Sequence, residues 1–157
     1  MKKIVGCPGS QTMDFRDEGE KEGATGNIES QLRQWPIQMH LISPTAPYFH
    51  GADVLLVADC VGYALGGFHS EYLKGKTIGI ACPKLDSGQE SYVEKVSALI
   101  DEAKINTLTV MIMQVPCCRG LESIAKAAQQ RSTRKIPLKS IVVGVRGEIL
   151  QEGWIST

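Results

Sequence analysis

The sequence predicts an α/β fold: three αβα layers around a mostly parallel sheet of Rossmann-like or flavodoxin-like kind. Three observations predict it. Short continuous apolar runs rich in β-branched residues recur along the chain, as strands covered on both faces require. Amphipathic stretches of helical period separate them. The 157 residues suffice for one domain with a sizeable core, and neither a repeat nor a composition shift divides them. Residues 1–157 are therefore read as a single α/β domain.

The elements follow in order. Residues 3–6 form a short apolar start. Residues 7–26 are Gly-rich and charged without periodicity, and 11–27 are expected to be a mobile loop. Residues 28–34 read as a short helix ended by Trp35-Pro36, because proline disfavours helical backbone in the residue before it. Residues 37–42 read as a strand. The clearest strand is Asp53-Val54-Leu55-Leu56-Val57-Ala58. A weakly helical stretch over 61–73, broken by Gly66-Gly67, leads to the strand 77–81. Ser87-Gly88-Gln89-Glu90 has capping-box spacing and opens a helix with Val93, Val96, Leu99 and Ile100 on one face. A strand over 108–115 and a helix burying Leu121, Ile124, Ala125 and Ala128 come next, then a strand over 141–145. The polar tail over 146–157 carries Ile149, Leu150, Trp154 and Ile155. It is expected to pack on the body or on a second copy, which would make a homodimer.

Charge and composition exclude several classes. Lys+Arg 17 and Asp+Glu 17 cancel, so no general attraction to nucleic acid or anionic membrane is expected. No apolar run approaches the roughly 18 residues needed to span a bilayer. The start runs into Pro8-Gly9-Ser10 without a signal-peptide pattern, so a cytoplasmic location is expected. There is no Walker pattern and no Gly-x-Gly-x-x-Gly.

The five cysteines carry the functional expectation. Cys7, Cys60, Cys82 and the pair Cys117-Cys118 each follow an apolar run read as a strand. Carboxyl ends of parallel strands lie together, and ligands bind there. An odd count in a chain of this size argues for reduced thiols or metal ligands rather than a disulfide scaffold. No Cys-x-x-Cys occurs, so any metal site must be assembled by the tertiary fold. A helix start at Cys117-Cys118 would favour thiolates. These positions predict a shared metal or iron–sulfur centre, 4Fe-4S being the simplest, with zinc as the alternative cofactor. Asp59, Lys84 and Arg119 adjoin the cysteines, the two cations being placed to offset cluster charge, and His69 is a candidate ligand or proton donor. A second reading is a thiol/disulfide redox enzyme using Cys117 or Cys118 as nucleophile, with Cys60 or Cys82 resolving. A third is a structural zinc-binding module.

Several motifs together resemble a known family. They are Cys7-Pro8-Gly9-Ser10, Leu32-Arg33-Gln34-Trp35-Pro36-Ile37-Gln38, Ser43-Pro44-Thr45-Ala46-Pro47-Tyr48-Phe49, Ala58-Asp59-Cys60, Cys82-Pro83-Lys84-Leu85-Asp86 and Val115-Pro116-Cys117-Cys118. In this order they resemble the C-terminal domain of the 4Fe-4S ferredoxin-domain family, typical of anaerobic bacteria and archaea, here without the N-terminal ferredoxin module. The resemblance implies an iron–sulfur electron-transfer protein whose own five cysteines hold the cluster. It also implies a ferredoxin-type or other redox protein as partner.

Overall fold

The computed structural model describes residues 12–14, 16–18, 26 and 28–156. Two short strands, β1 (Met13–Asp14) and β2 (Gln34–Trp35), pair antiparallel. Then follow β3 (Asp53–Ala58), α1 (Val61–Ala64), a π-helical turn (Phe68–Leu73), β4 (Thr77–Ala81), α2 (Gln89–Asp101) and β5 (Thr107–Met113). A 3-10 turn (Pro116–Cys118), α3 (Arg119–Arg131), β6 (Leu138–Val143) and β7 (Ile149–Trp154) complete the chain. The main sheet has the order β4-β3-β5-β6-β7. Its first four strands are parallel, and β7 runs antiparallel to β6. This is the predicted α/β class.

One row across the sheet shows how burial is graded. Gly79, Leu56, Val110, Ser140 and Gly153 pair in succession from β4 to β7. Leu56 and Val110 are fully buried, Ser140 is half-buried and Gly153 is exposed. A Cβ at Gly79 would lie 2.6 Å from Met39 Sδ, so the bare backbone there leaves room for the buried Met39 side chain. Helices α2 and α3 pack against one another. The core is formed by the middle strands with Tyr92, Val96, Leu99 and Ile100 of α2 and Leu121, Ala125 and Ala128 of α3.

Four local expectations are corrected. Residues 28–33 are not helical, and Gln34 begins β2. The Gln34 side chain is fully buried beside β4. Its Nε2 donates to Ile78 O at 2.5 Å, and its Oε1 accepts from Ile78 N at 3.2 Å. That pairing demands extended chain here. Residues 37–42 make only a single parallel bridge, Gln38 to Ile80, before turning. Met39 N donates to Ile80 O and Ile80 N to Ile37 O, and the Lys95 ammonium then gathers the carbonyls of Met39, His40 and Ile42. The capping box does not form: the N-cap falls on Gly88 at φ 70°, one residue later than the Ser-x-x-Glu spacing needs, and no side chain caps α2. The tail contains β7, in which Leu150 is the extra residue of a bulge opposite Val142 and Val143 of β6, and this breaks the alternation that would have marked the strand. The expected strand over 3–6 lies outside the described residues. So does most of the expected loop over 11–27. No helix among the described residues is long and apolar enough to cross a membrane.

Candidate functional site

The chain crosses from β3 outward to β4, then returns past β3 to β5. The strand order therefore reverses between β3 and β5, and the crevice beyond their carboxyl ends is the expected ligand position in such a sheet. Asp59 and Cys60 follow β3, Cys82 and Lys84 follow β4, and Cys117, Cys118 and Arg119 follow β5. Asp59 N continues the ladder by donating to Ala81 O at 3.1 Å. The first turn of α3 closes against the segment after β4: a Cβ at Gly120 would lie 3.0 Å from Pro83 Cβ. Glycine lets this helix start approach the crevice.

On the β4 side the polar groups are tied together. Asp86 Oδ2 accepts from Tyr92 OH at 2.5 Å, Cys82 N at 3.0 Å and Gln38 Nε2 at 3.4 Å. Asp86 N donates back to Cys82 O at 2.9 Å. Burial, and then the hydrogen bond to Asp86, hold the Tyr92 hydroxyl in its protonated form well beyond the usual range. Asp59 is exposed, yet partial burial of its carboxyl and then the charge of Asp86 push it above its ordinary value. Sequence reasoning missed Gln38, Asp86 and Tyr92. The available signal was an aspartate four residues after a strand-end cysteine, a spacing at which a carboxylate can accept from the backbone of its own turn.

The four described cysteines, Cys60, Cys82, Cys117 and Cys118, are free. Cys60, Cys117 and Cys118 are neighbours. The Cys118 thiol is pushed up first by burial, with Cys117 and Cys60 adding to it, against a lowering hydrogen bond from the Met113 backbone. The expectation that a helix start would favour a thiolate is thus reversed at Cys118, which is only 8% exposed. Cys117 and Cys60 are exposed. The Cys82 sulfur accepts from Leu85 N at 3.4 Å, inside its own turn.

These placements overturn the cofactor reading. Among the described residues, no group of three or more His, Cys, Asp or Glu side chains could hold a metal ion. A 4Fe-4S cluster normally needs four converging thiolates and a structural zinc site four ligands. Here Cys118 turns into the core and Cys82 into its own turn. Cys7 lies outside the described residues. The iron–sulfur, electron-transfer and zinc expectations are therefore corrected. The thiol/disulfide redox alternative is corrected with them: Cys117 and Cys118, the residues expected to act, are both free thiols, one of them buried with its thiol pushed up. Lys84 and Arg119 are exposed and have no cluster charge to offset. His69 is engaged elsewhere: its Nδ1 accepts from Gln31 N at 3.0 Å, and its ring meets Phe68 edge-on at 5.9 Å.

Beside the crevice, where α3 stops covering the sheet, a groove of about 250 Å³ opens over β6 and β7. Arg119, Glu122, Ser140, Gln151 and Trp154 are among its lining residues. Ser140 Oγ donates to Glu122 at 3.0 Å. Lys126, 2.7 Å away, and then Ser140 hold the Glu122 carboxyl below its ordinary value, against partial burial. Gln114, also on the lining, accepts Val145 N at 3.0 Å and fixes the loop after β6.

A mostly parallel sheet whose strand order reverses between β3 and β5 is the topology of an open α/β fold. The family model described as "Rossmann-like domain" matches residues 46–156, and the chain belongs to that family. An uncharacterized protein of Archaeoglobus fulgidus is 25% identical over 119 residues, covering 76% of this chain and 83% of the relative. No solved structure matches. The expected membership in the 4Fe-4S ferredoxin-domain family is corrected accordingly: the matching family is the Rossmann-like domain, and the described residues hold no ligand cluster of the kind that resemblance implied.

Proposed function

We propose that the protein is a small-molecule-binding Rossmann-like module. Its ligand lies across the carboxyl ends of β3 and β5, between Asp59-Cys60 and the first turn of α3. The observation that carries this reading is the reversal of strand order between β3 and β5, which sets Cys60 after β3 beside Cys118 after β5. The chemistry divides in two. The positive end of the 13-residue α3, with Arg119 and Lys84 nearby, suits an anionic group. The Asp59 carboxyl, beside the fixed Asp86, suits hydroxyl groups. The ligand class is a hydroxylated small acid or phosphate ester. Cys60 and Cys117 are read as walls of the crevice, while Cys82 and Cys118 support it from within.

A cytoplasmic location belongs to this reading, supported by the four free thiols. The ferredoxin-type partner was argued from the cluster and loses that rationale with it.

The test is amide chemical-shift mapping with inorganic phosphate, ribose 5-phosphate and adenosine monophosphate as probes. The phosphate esters are expected to move the amides of 59–60 and 117–121. Arg119→Ala should weaken that binding roughly tenfold, the loss of one charge-assisted contact. Shifts confined to other parts of the molecule, or none at millimolar probe, would sink the reading.

A further inference from the structure

We propose that the groove over β6 and β7 is a second compartment of the crevice. It receives an ammonium group joined by a short apolar spacer to the anion held at Arg119. The inference rests on the ligand position given above and extends it along the sheet. Helix α3 runs back from the carboxyl edge, so Arg119 stands at the mouth of the groove and Glu122, one turn on, stands further in. Residues three apart on a helix are surface neighbours, with about 5–6 Å between their Cβ atoms. The two charges of the ligand therefore need to be only a few bonds apart.

The two ends of the groove differ in what they offer. The Arg119 guanidinium has no hydrogen bond or ion pair among the described residues, so all its donors are available at the mouth. Further in, Ser140 donates to one oxygen of Glu122 at 3.0 Å and Lys126 to the other at 2.7 Å. An ionised carboxylate has about four lone-pair sites, so about two remain. The Ser140 hydroxyl has spent its proton on Glu122 and can only accept from anything else. The inner wall is thus made of acceptors, and it draws in an ammonium where it would repel a second anion. Ile112 and Val142, paired across β5 and β6, lie on the lining and give the spacer an apolar surface.

Gly153 keeps the inner end open. It pairs with Ser140, so a side chain at 153 would rise from the same face of the sheet. A Cβ there would meet no atom within 4 Å, whereas at Gly79 it would strike Met39. The packing of the chain itself therefore does not call for glycine at 153. A glycine inside a strand weakens it and commonly marks a place that a ligand approaches closely.

The test is amide chemical-shift titration with 2-aminoethyl phosphate and ethyl phosphate, which differ only in the terminal ammonium. The aminated ester is expected to bind about threefold to fivefold tighter, as a half-exposed ion pair allows, and to move the amides of 140, 151 and 153 together with 117–121. Glu122→Gln should erase the preference. Gly153→Val should fill the inner end and erase the response of 140 and 151. Valine suits a strand, so the circular dichroism should not change. Equal binding of the two esters, or a preference that survives both substitutions, would overturn the proposal. Shifts at 59–60 and 117–121 with 140, 151 and 153 silent would sink this compartment alone. Shifts in the groove and at 117–121 without any at 59–60 would uphold the compartment and move the ligand off β3. Silence throughout would sink both.

Discussion

On the β4 side of the carboxyl edge, one oxygen of Asp86 collects Tyr92, Cys82 and Gln38 as donors; on the β5 side, Arg119 faces an open groove. The first arrangement satisfies its polar groups within the chain, so removing one member strands the others in a half-buried setting. The second leaves donors turned toward space that a ligand can enter. Stability should therefore concentrate on the Asp86 side and binding on the Arg119 side, although both follow parallel strands that flank β3.

The largest expected effect is at Tyr92. Its ring is fully buried, and Tyr92→Ala should cost about 3–5 kcal/mol in urea unfolding, as for other buried aromatics. Arg119→Ala should stay within about 0.5 kcal/mol in the same assay. Comparable losses in the two variants would break the contrast. Asp86→Ala comes next, at about 1–3 kcal/mol, because it leaves the Tyr92 hydroxyl and the Cys82 N–H without their acceptor.

Thiol reactivity sharpens the comparison within the β5 loop itself. Iodoacetamide at mildly alkaline pH, followed by peptide mass spectrometry, should label Cys117 at least about tenfold faster than Cys118, since burial and a raised thiol pKa both slow attack. The difference should vanish in denaturant. Equal rates would mean that the Cys118 side chain is not held in the core.

The smallest effects are pH-dependent and opposite in sign. Glu122 is lowered from 4.5, so its contribution is present above that value and is lost as pH falls through the folded value. Asp59 is raised from 3.8, so its contribution is fully present below that value and is lost as pH rises through the folded value. Glu122→Gln should flatten the acid limb of the stability profile by no more than about 0.5 kcal/mol, given the partial exposure of its pair with Lys126. Asp59→Asn should flatten the limb just above it. A profile unchanged by both variants would show that neither environment persists in solution.

Much of the scaffold was legible. The apolar runs located β3, β4, β5 and β6 to within three residues at each end, and the helical period located the buried faces of α2 and α3. Placing the cysteines at strand ends pointed to the correct edge of the sheet. The direction of each side chain was not legible. Cys117 and Cys118 differ by one position in a 3-10 turn, which sends one to solvent and the other under α3. Periodicity cannot resolve that step, and the metal reading depended on it. Asp86, Tyr92 and Gln38 come together only once α2 and the edge of β4 are in place. The strand β7 escaped because its bulged register disrupts alternation and none of its residues is buried.

The Gln34 amide has a consequence at the far side of the sheet. By answering both backbone groups of Ile78, it acts as a neighbouring strand built from one side chain, and the chain at Ile37 and Met39 answers Ile80 in the same way. The outer margin of β4 is thus already occupied. A sheet with two vacant margins can add copies without limit and grow into fibres; one with a single vacancy exhausts it at the first union. The Gln34 amide and the backbone of Ile37 and Met39 together leave Ile78 and Ile80 no free backbone groups to offer outward. Replacing Gln34 would reopen part of that margin as well as weaken the fold.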